Sequence, residues 1–132
     1  METVGQYAFI HAGIDPAAPV SDQSLPDCIQ IRSKFLDHVG GLSHVIVHGH
    51  TPLDPPRPVV TENRISLDTH AWATGVLSLA VFDFEQDTIE FYATSENGGA
   101  EPVEPIALDR GLGTILTAAS KGARTAVAPG HC

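Results

Sequence analysis

Positive charge is scarce in this chain of 132 residues. Seven lysines and arginines stand against sixteen aspartates and glutamates, for a formal net charge of -9. That shortage disfavours nucleic acid as a partner, because such binding needs a basic surface to displace counterions. It disfavours an anionic membrane surface for the same reason. Cysteine is almost absent: Cys28 and Cys132 are the only two, and no C-x-x-C occurs. Neither a disulfide framework nor a thiolate zinc site is expected, and reduced thiols point to the cytoplasm. No apolar run approaches the roughly 20 residues of a membrane span. The opening "METVGQYAFIHAG" has no basic segment followed by a long apolar one, so no secretory leader is expected. There is no internal repeat and no glycine loop of the phosphate-cradling kind.

What is present suits one soluble domain with a core of its own; 42% of the residues are hydrophobic. "YAFIHAGI", residues 7–14, reads as a short buried strand. "DPAAPVSDQSLPD" is a loop rich in Pro, Asp and Ser. Ser24 is placed to cap a helix, with Pro26 in its first turn and Asp27 at the positive end of the dipole. "CIQIRSKFLDHV", residues 28–39, continues that helix at roughly helical spacing, and Gly40-Gly41 ends it. "HVIVHG" is nearly continuous in apolar residues, so it predicts a strand buried on both faces. "TPLDPPRPVVTEN" carries four prolines and predicts a surface loop. "RISLD", "GVLSLAVFDF" and "TIEFYAT" predict three more strands, the last two an antiparallel hairpin turning at residues 85–87. Beyond Ser95 the chain becomes turn-rich and then Ala-rich, with a weak helix over 106–121. The expected organisation is a domain over residues 1–95 and a poorly ordered Gly/Pro/Ala-rich tail over 96–132.

Three places could carry chemistry. His11 ends the strand "YAFI", and His48 and His50 end "VIV". Arg32 lies on the helix between them. Strand ends of one open α/β sheet commonly face the same crevice, where ligands bind. Imidazoles converging there could hold a transition metal, and an arginine fork beside them could hold phosphate. The glycines after His11 and before His50 would let the backbone turn and leave room. Nothing in the spacing demands a metal, however. Histidines that are merely hydrogen-bonded at strand ends, with a solvated Arg32, account for the same residues.

"YAFIHAGIDP", "IRSKFL", "VIVHGHTP" and "ISLDTHAWATGVLSLAVFD", in this order over about residues 3–83, resemble the C-terminal half of bacterial calcineurin-like metallophosphoesterases. The nearest branch is the serine/threonine protein phosphatases of the PPP type. The resemblance implies a mixed α/β (α+β) fold, a β-sandwich flanked by helices with its N-terminal half missing. It implies that His11 and His50 ligate one metal and that Arg32 grips the substrate phosphate. Asp68 matches the aspartate of the family's "DTGA" motif and supports the site without being a ligand. His48 falls outside the matched ligand position and is read as a supporting neighbour. The implied cofactors are two divalent ions per intact site, manganese first, with iron or zinc as alternatives. Such a pair, about 3.5–4 Å apart, activates a bridging water for in-line displacement at phosphorus.

The family's motifs D-x-H with a following glycine, G-D-x-x-D-R-G and G-N-H-E do not occur. Asp68-Thr69-His70 is literally a D-x-H, but it follows "GHTP", and His70 stands where the family has glycine. The expectation is a truncated, inactive fragment with no catalytic residue of its own. Its family reaction would be hydrolysis of phosphate monoesters in phosphoproteins or small phosphoesters. Two other readings stay open. One is a dinucleoside tetraphosphate hydrolase of the same superfamily. The other is a non-catalytic binding or assembly module, homo-oligomeric through exposed strands.

Overall fold

A computed structural model describes residues 1–95 and 97–108. It is a mixed α/β structure with two sheets and few helices. The first sheet takes its order from three parallel strands: β2 (Tyr7–Phe9), β3 (Val45–His48) and β5 (Arg64–Ser66). β1 (Glu2–Val4) folds back antiparallel on β2 through a turn at Gly5, whose φ of 56° suits a residue without Cβ. On the other side β4 (Val59–Val60) runs antiparallel to β5, and β9 (Ile106–Ala107) runs parallel to β4. The second sheet is antiparallel, with β6 (Ser78–Asp83), β7 (Thr88–Thr94) and β8 (Ala100–Pro102) in that order. Among the described residues no helix is long and apolar enough to cross a membrane.

Period-two alternation in β3 explains the layering. Val45 and Val47 face the second sheet and share a core with Tyr7, Val60, Ile65, Ile89 and Phe91. Phe82 of β6 meets Tyr7 and Phe9 edge-on, with centroids 5.0 and 5.2 Å apart. Ile46 faces the opposite way, into a second cluster with Ala8, Ile14, Ile31 and Phe35. All four β3 residues are buried, so the continuous apolar run reads as expected.

The helix expected over 28–39 is two helices. α1 (Leu25–Gln30) is capped by Ser24, whose Oγ accepts the Asp27 N–H at 3.2 Å, as the sequence suggested. α2 (Ser33–Leu36) starts afresh after Arg32, where φ is -134° and ψ -106°. A hydrogen bond from another loop accompanies the break. A continuous helix would send the Arg32 N–H to the Cys28 carbonyl. That carbonyl instead accepts the N–H of Ala12, at 2.9 Å. The turn still leaves Ile31 and Phe35 buried together. Ser24→Ala should cost about 1 kcal/mol of unfolding free energy in a urea titration. No measurable loss would mean that tertiary contacts alone hold α1.

Three further expectations change. The strand at residues 7–14 stops at Phe9. The proline-rich loop contains β4, which is only two residues long and follows Pro58, so the prolines cost it no ladder bond. Residues 100–107, expected as tail and in part as weak helix, carry β8 and β9. Of that tail and helix, residues 96 and 109–132 lie outside the described residues. β6 is an edge strand, and Leu79 and Val81 on its outer face are exposed, as are Leu77 and Trp72 before it.

Candidate functional site at the carboxyl ends of three parallel strands

The carboxyl ends of β2, β3 and β5 lie side by side, and each is followed by a polar residue singled out above. His11 comes two residues after β2. His50 comes two after β3, and Asp68 two after β5. Backbone bonds continue the sheet into these loops. The Ile10 N–H donates to Val47 O at 3.0 Å, Gly49 N–H to His11 O at 2.9 Å and Leu67 N–H to His48 O at 2.9 Å. The loops are therefore laced together before any side chain is considered.

His11 and His50 face each other, with ring centroids 5.0 Å apart and planes inclined by 58°. His11 is exposed and His50 half-buried. Partial burial lowers the His50 pKa below the usual imidazole value. The positive charge of Arg32 and the nearby His11 lower it further, and Asp68 opposes them. These four residues thus share one electrostatic environment. Arg32 itself is exposed, at the joint between α1 and α2.

In an extended strand His48 and His50 would share a face. The strand ends at His48, and His50 takes φ 65°, in the left-handed region. This rotation sends the two rings to different places. A non-glycine residue there is uncommon and costs about 1 kcal/mol or more. Gly49 does not carry a positive φ; a Cβ on it would sit 3.7 Å from Asp68 Cβ, in ordinary contact. The positional need for glycine lies instead at Gly13, against the ring of Phe35.

His48 lies on the helix side of the sheet and is 3% exposed. Its ring stands edge-on to Phe35, with centroids 5.0 Å apart. Its Nδ1 is 3.0 Å from the Gly49 carbonyl, and its Nε2 is 2.7 Å from Ser66 Oγ. A carbonyl only accepts, so Nδ1 carries the proton and Nε2 accepts from the Ser66 hydroxyl. Burial pushes the His48 pKa down to about 4. The ring is a neutral, fully engaged strut. Ser66 was not singled out from sequence. Its only signal is register, because it pairs directly with His48 across the parallel ladder.

Asp68 Oδ1 accepts the His70 N–H at 2.9 Å, which shapes the next turn. His70 also takes a left-handed φ, 57°, and its ring packs edge-on to Trp72 at 4.6 Å. As donors for a metal, His11 and His50 offer two nitrogens. Among the described residues no group of three or more His, Cys, Asp or Glu side chains is arranged to hold an ion. Two imidazole nitrogens alone do not complete the coordination shell of a divalent ion. No family model matches the chain, and no curated protein or solved structure does either.

Proposed function

We propose that this chain carries the phosphate-facing part of a metal-dependent phosphoesterase, with the calcineurin-like sandwich of the serine/threonine phosphoprotein phosphatases. The supporting observation is the facing of His11 and His50 beyond three parallel strands, with Asp68 after the third of them and the charge of Arg32 felt at His50. A phosphoryl group needs cationic, directional partners. The Arg32 guanidinium can offer two parallel N–H donors to non-reacting oxygens. Neutral imidazoles can hold one divalent ion (manganese first, iron or zinc as alternatives), which when bound would neutralise phosphate charge and acidify a water. Two imidazoles hold an ion weakly, so the described residues bind and orient but do not hydrolyse. The substrate is a phosphorylated protein or a small phosphoester in the cytoplasm. Among the described residues the pair gains no third donor, and a binding module built on the same cluster is the second reading.

Calorimetric titration of the full chain with MnCl2 tests the ligand assignment. His11→Ala should weaken binding by roughly tenfold or more, equivalent to about 1.4 kcal/mol. His50→Gly should do the same while leaving stability unchanged or up to about 1 kcal/mol higher, because glycine relieves the left-handed backbone. Unchanged manganese affinity in both variants would refute the pair as ligands. Turnover of a chromogenic phosphate ester by the full chain with manganese would refute the claim that it lacks catalytic power.

A further inference from the structure

The edges of the two sheets are not guarded alike. β1 carries Glu2, β8 carries Glu101 and Pro102, and β9 is only two residues long. Charge, proline and shortness all blunt an edge against further pairing. β6 runs for six residues and has neither charge nor proline from Ser78 to Phe82. Its free side can be read from the ladder. Along an antiparallel strand, successive residues turn their N–H and C=O alternately to one neighbour and to the other side. Leu77 O accepts the Thr94 N–H at 2.9 Å, so the main chain of Leu77, Leu79 and Val81 turns to β7. Phe91, which lies opposite Ala80, gives its carbonyl to the Val103 N–H at 2.9 Å, away from β6. Both bonds leave the main chain of Ser78, Ala80 and Phe82 pointing out of the sheet. Among the described residues no strand pairs with that side. Side chains divide the same way: Leu79 and Val81 are exposed on the outer face, while Ala80 and Phe82 pack on the core.

We propose that β6 pairs antiparallel with β6 of a second copy about a twofold axis, joining the two three-stranded sheets into one. The inference is independent of the phosphate reading. An axis at Ala80 sets Ala80 opposite its own copy, Ser78 opposite Phe82 and Leu79 opposite Val81. Residues directly opposite share a face, and this register matches core-facing with core-facing and outer with outer. Of the registers that do so, it alone gives Ser78, Ala80 and Phe82 each a partner inside the strand. This closure selects a second copy as the occupant, because the chain already supplies the uncharged, apolar strand that the edge needs. It also sets Asp83 opposite Leu77 and not opposite another carboxylate, which matters in a chain of net charge -9.

The test joins sedimentation equilibrium of the full chain with amide hydrogen exchange read by NMR. Sedimentation should show a monomer–dimer equilibrium. The N–H groups of Ala80 and Phe82 should gain protection as concentration rises, while those of Leu79 and Val81, bonded to β7, are protected throughout. That alternation needs no variant. Val81→Lys should raise the dimer dissociation constant roughly tenfold or more, because the axis repeats the lost contact with Leu79. Glu90 lies opposite residue 81 on β7, so the lysine has a carboxylate beside it in the monomer. A chain that is monomeric at every concentration overturns the proposal, and so does a dimer that Val81→Lys leaves intact. Protection of Ala80 and Phe82 that does not vary with concentration assigns the edge to residues 109–132 of the same chain and overturns it. A monomer that gains this protection only on adding an acetylated threonine–valine hexapeptide assigns the edge to a foreign strand and also overturns it.

Discussion

Gly13→Ala should lower the unfolding free energy by about 3 kcal/mol, the sum of overpacking and a strained backbone. Gly13 has φ 151°, and a Cβ built there falls 2.3 Å from Cδ1 of Phe35, 2.8 Å from Cε1 and 2.9 Å from Cγ. The ring has little freedom to retreat. Phe35 is 1% exposed, His48 stands against it, and the Arg64 guanidinium lies 5.9 Å from its centroid. Such a loss is a large share of the roughly 5–15 kcal/mol that holds an ordinary domain together. A double-mutant cycle isolates the cause. In a Phe35→Val background the ring is gone, so Gly13→Ala should cost only the backbone part, about 1–2 kcal/mol. The full cost in that background would show that the Phe35 contact is not responsible. Urea unfolding of the four proteins provides the measurement.

The second large effect is a loss of stability in mild acid that is specific to His48. Burial lowers its pKa from 6.5 to about 4 in the folded chain. Between those values the unfolded chain takes up a proton that the folded chain refuses. The contribution of His48 is fully present above about pH 6.5 and is lost as the pH falls to about 4, and it amounts to about 3 kcal/mol. Urea midpoints taken from about pH 7 to about pH 4 should decline less steeply in His48→Gln than in the parent. Carboxylates such as Asp15, which Lys34 holds below the usual range, titrate in both proteins and cancel in the comparison. Equal declines would assign the acid sensitivity to other groups.

Much of the framework was legible in the residues. The apolar run "VIVH" read as a doubly buried strand, the 78–94 hairpin as two alternating strands, and Ser24 as a cap, because each rests on a local rule. Histidines ending adjacent strands also read as neighbours, since parallel strands bring their carboxyl ends together. What escaped depends on partners distant in sequence. The break at Arg32 coincides with the Ala12 N–H pairing with a helix carbonyl. β4, β8 and β9 are two or three residues long and exist by pairing alone, so no periodicity announces them. The opposite placement of His48 and His50 turns on one backbone angle, which propensity scales do not foresee.

The bond between Ala12 N–H and the Cys28 carbonyl has a mechanical sense as well. Ala12 adjoins His11, and the bond ends α1 just before Arg32. The guanidinium is thus mounted on a joint latched by the same loop that carries the imidazole. A ligand that drew His11 aside would drag the latch, and with it the arm bearing Arg32. Cation and imidazole would shift as one jaw, and His50, anchored on β3, would be the other.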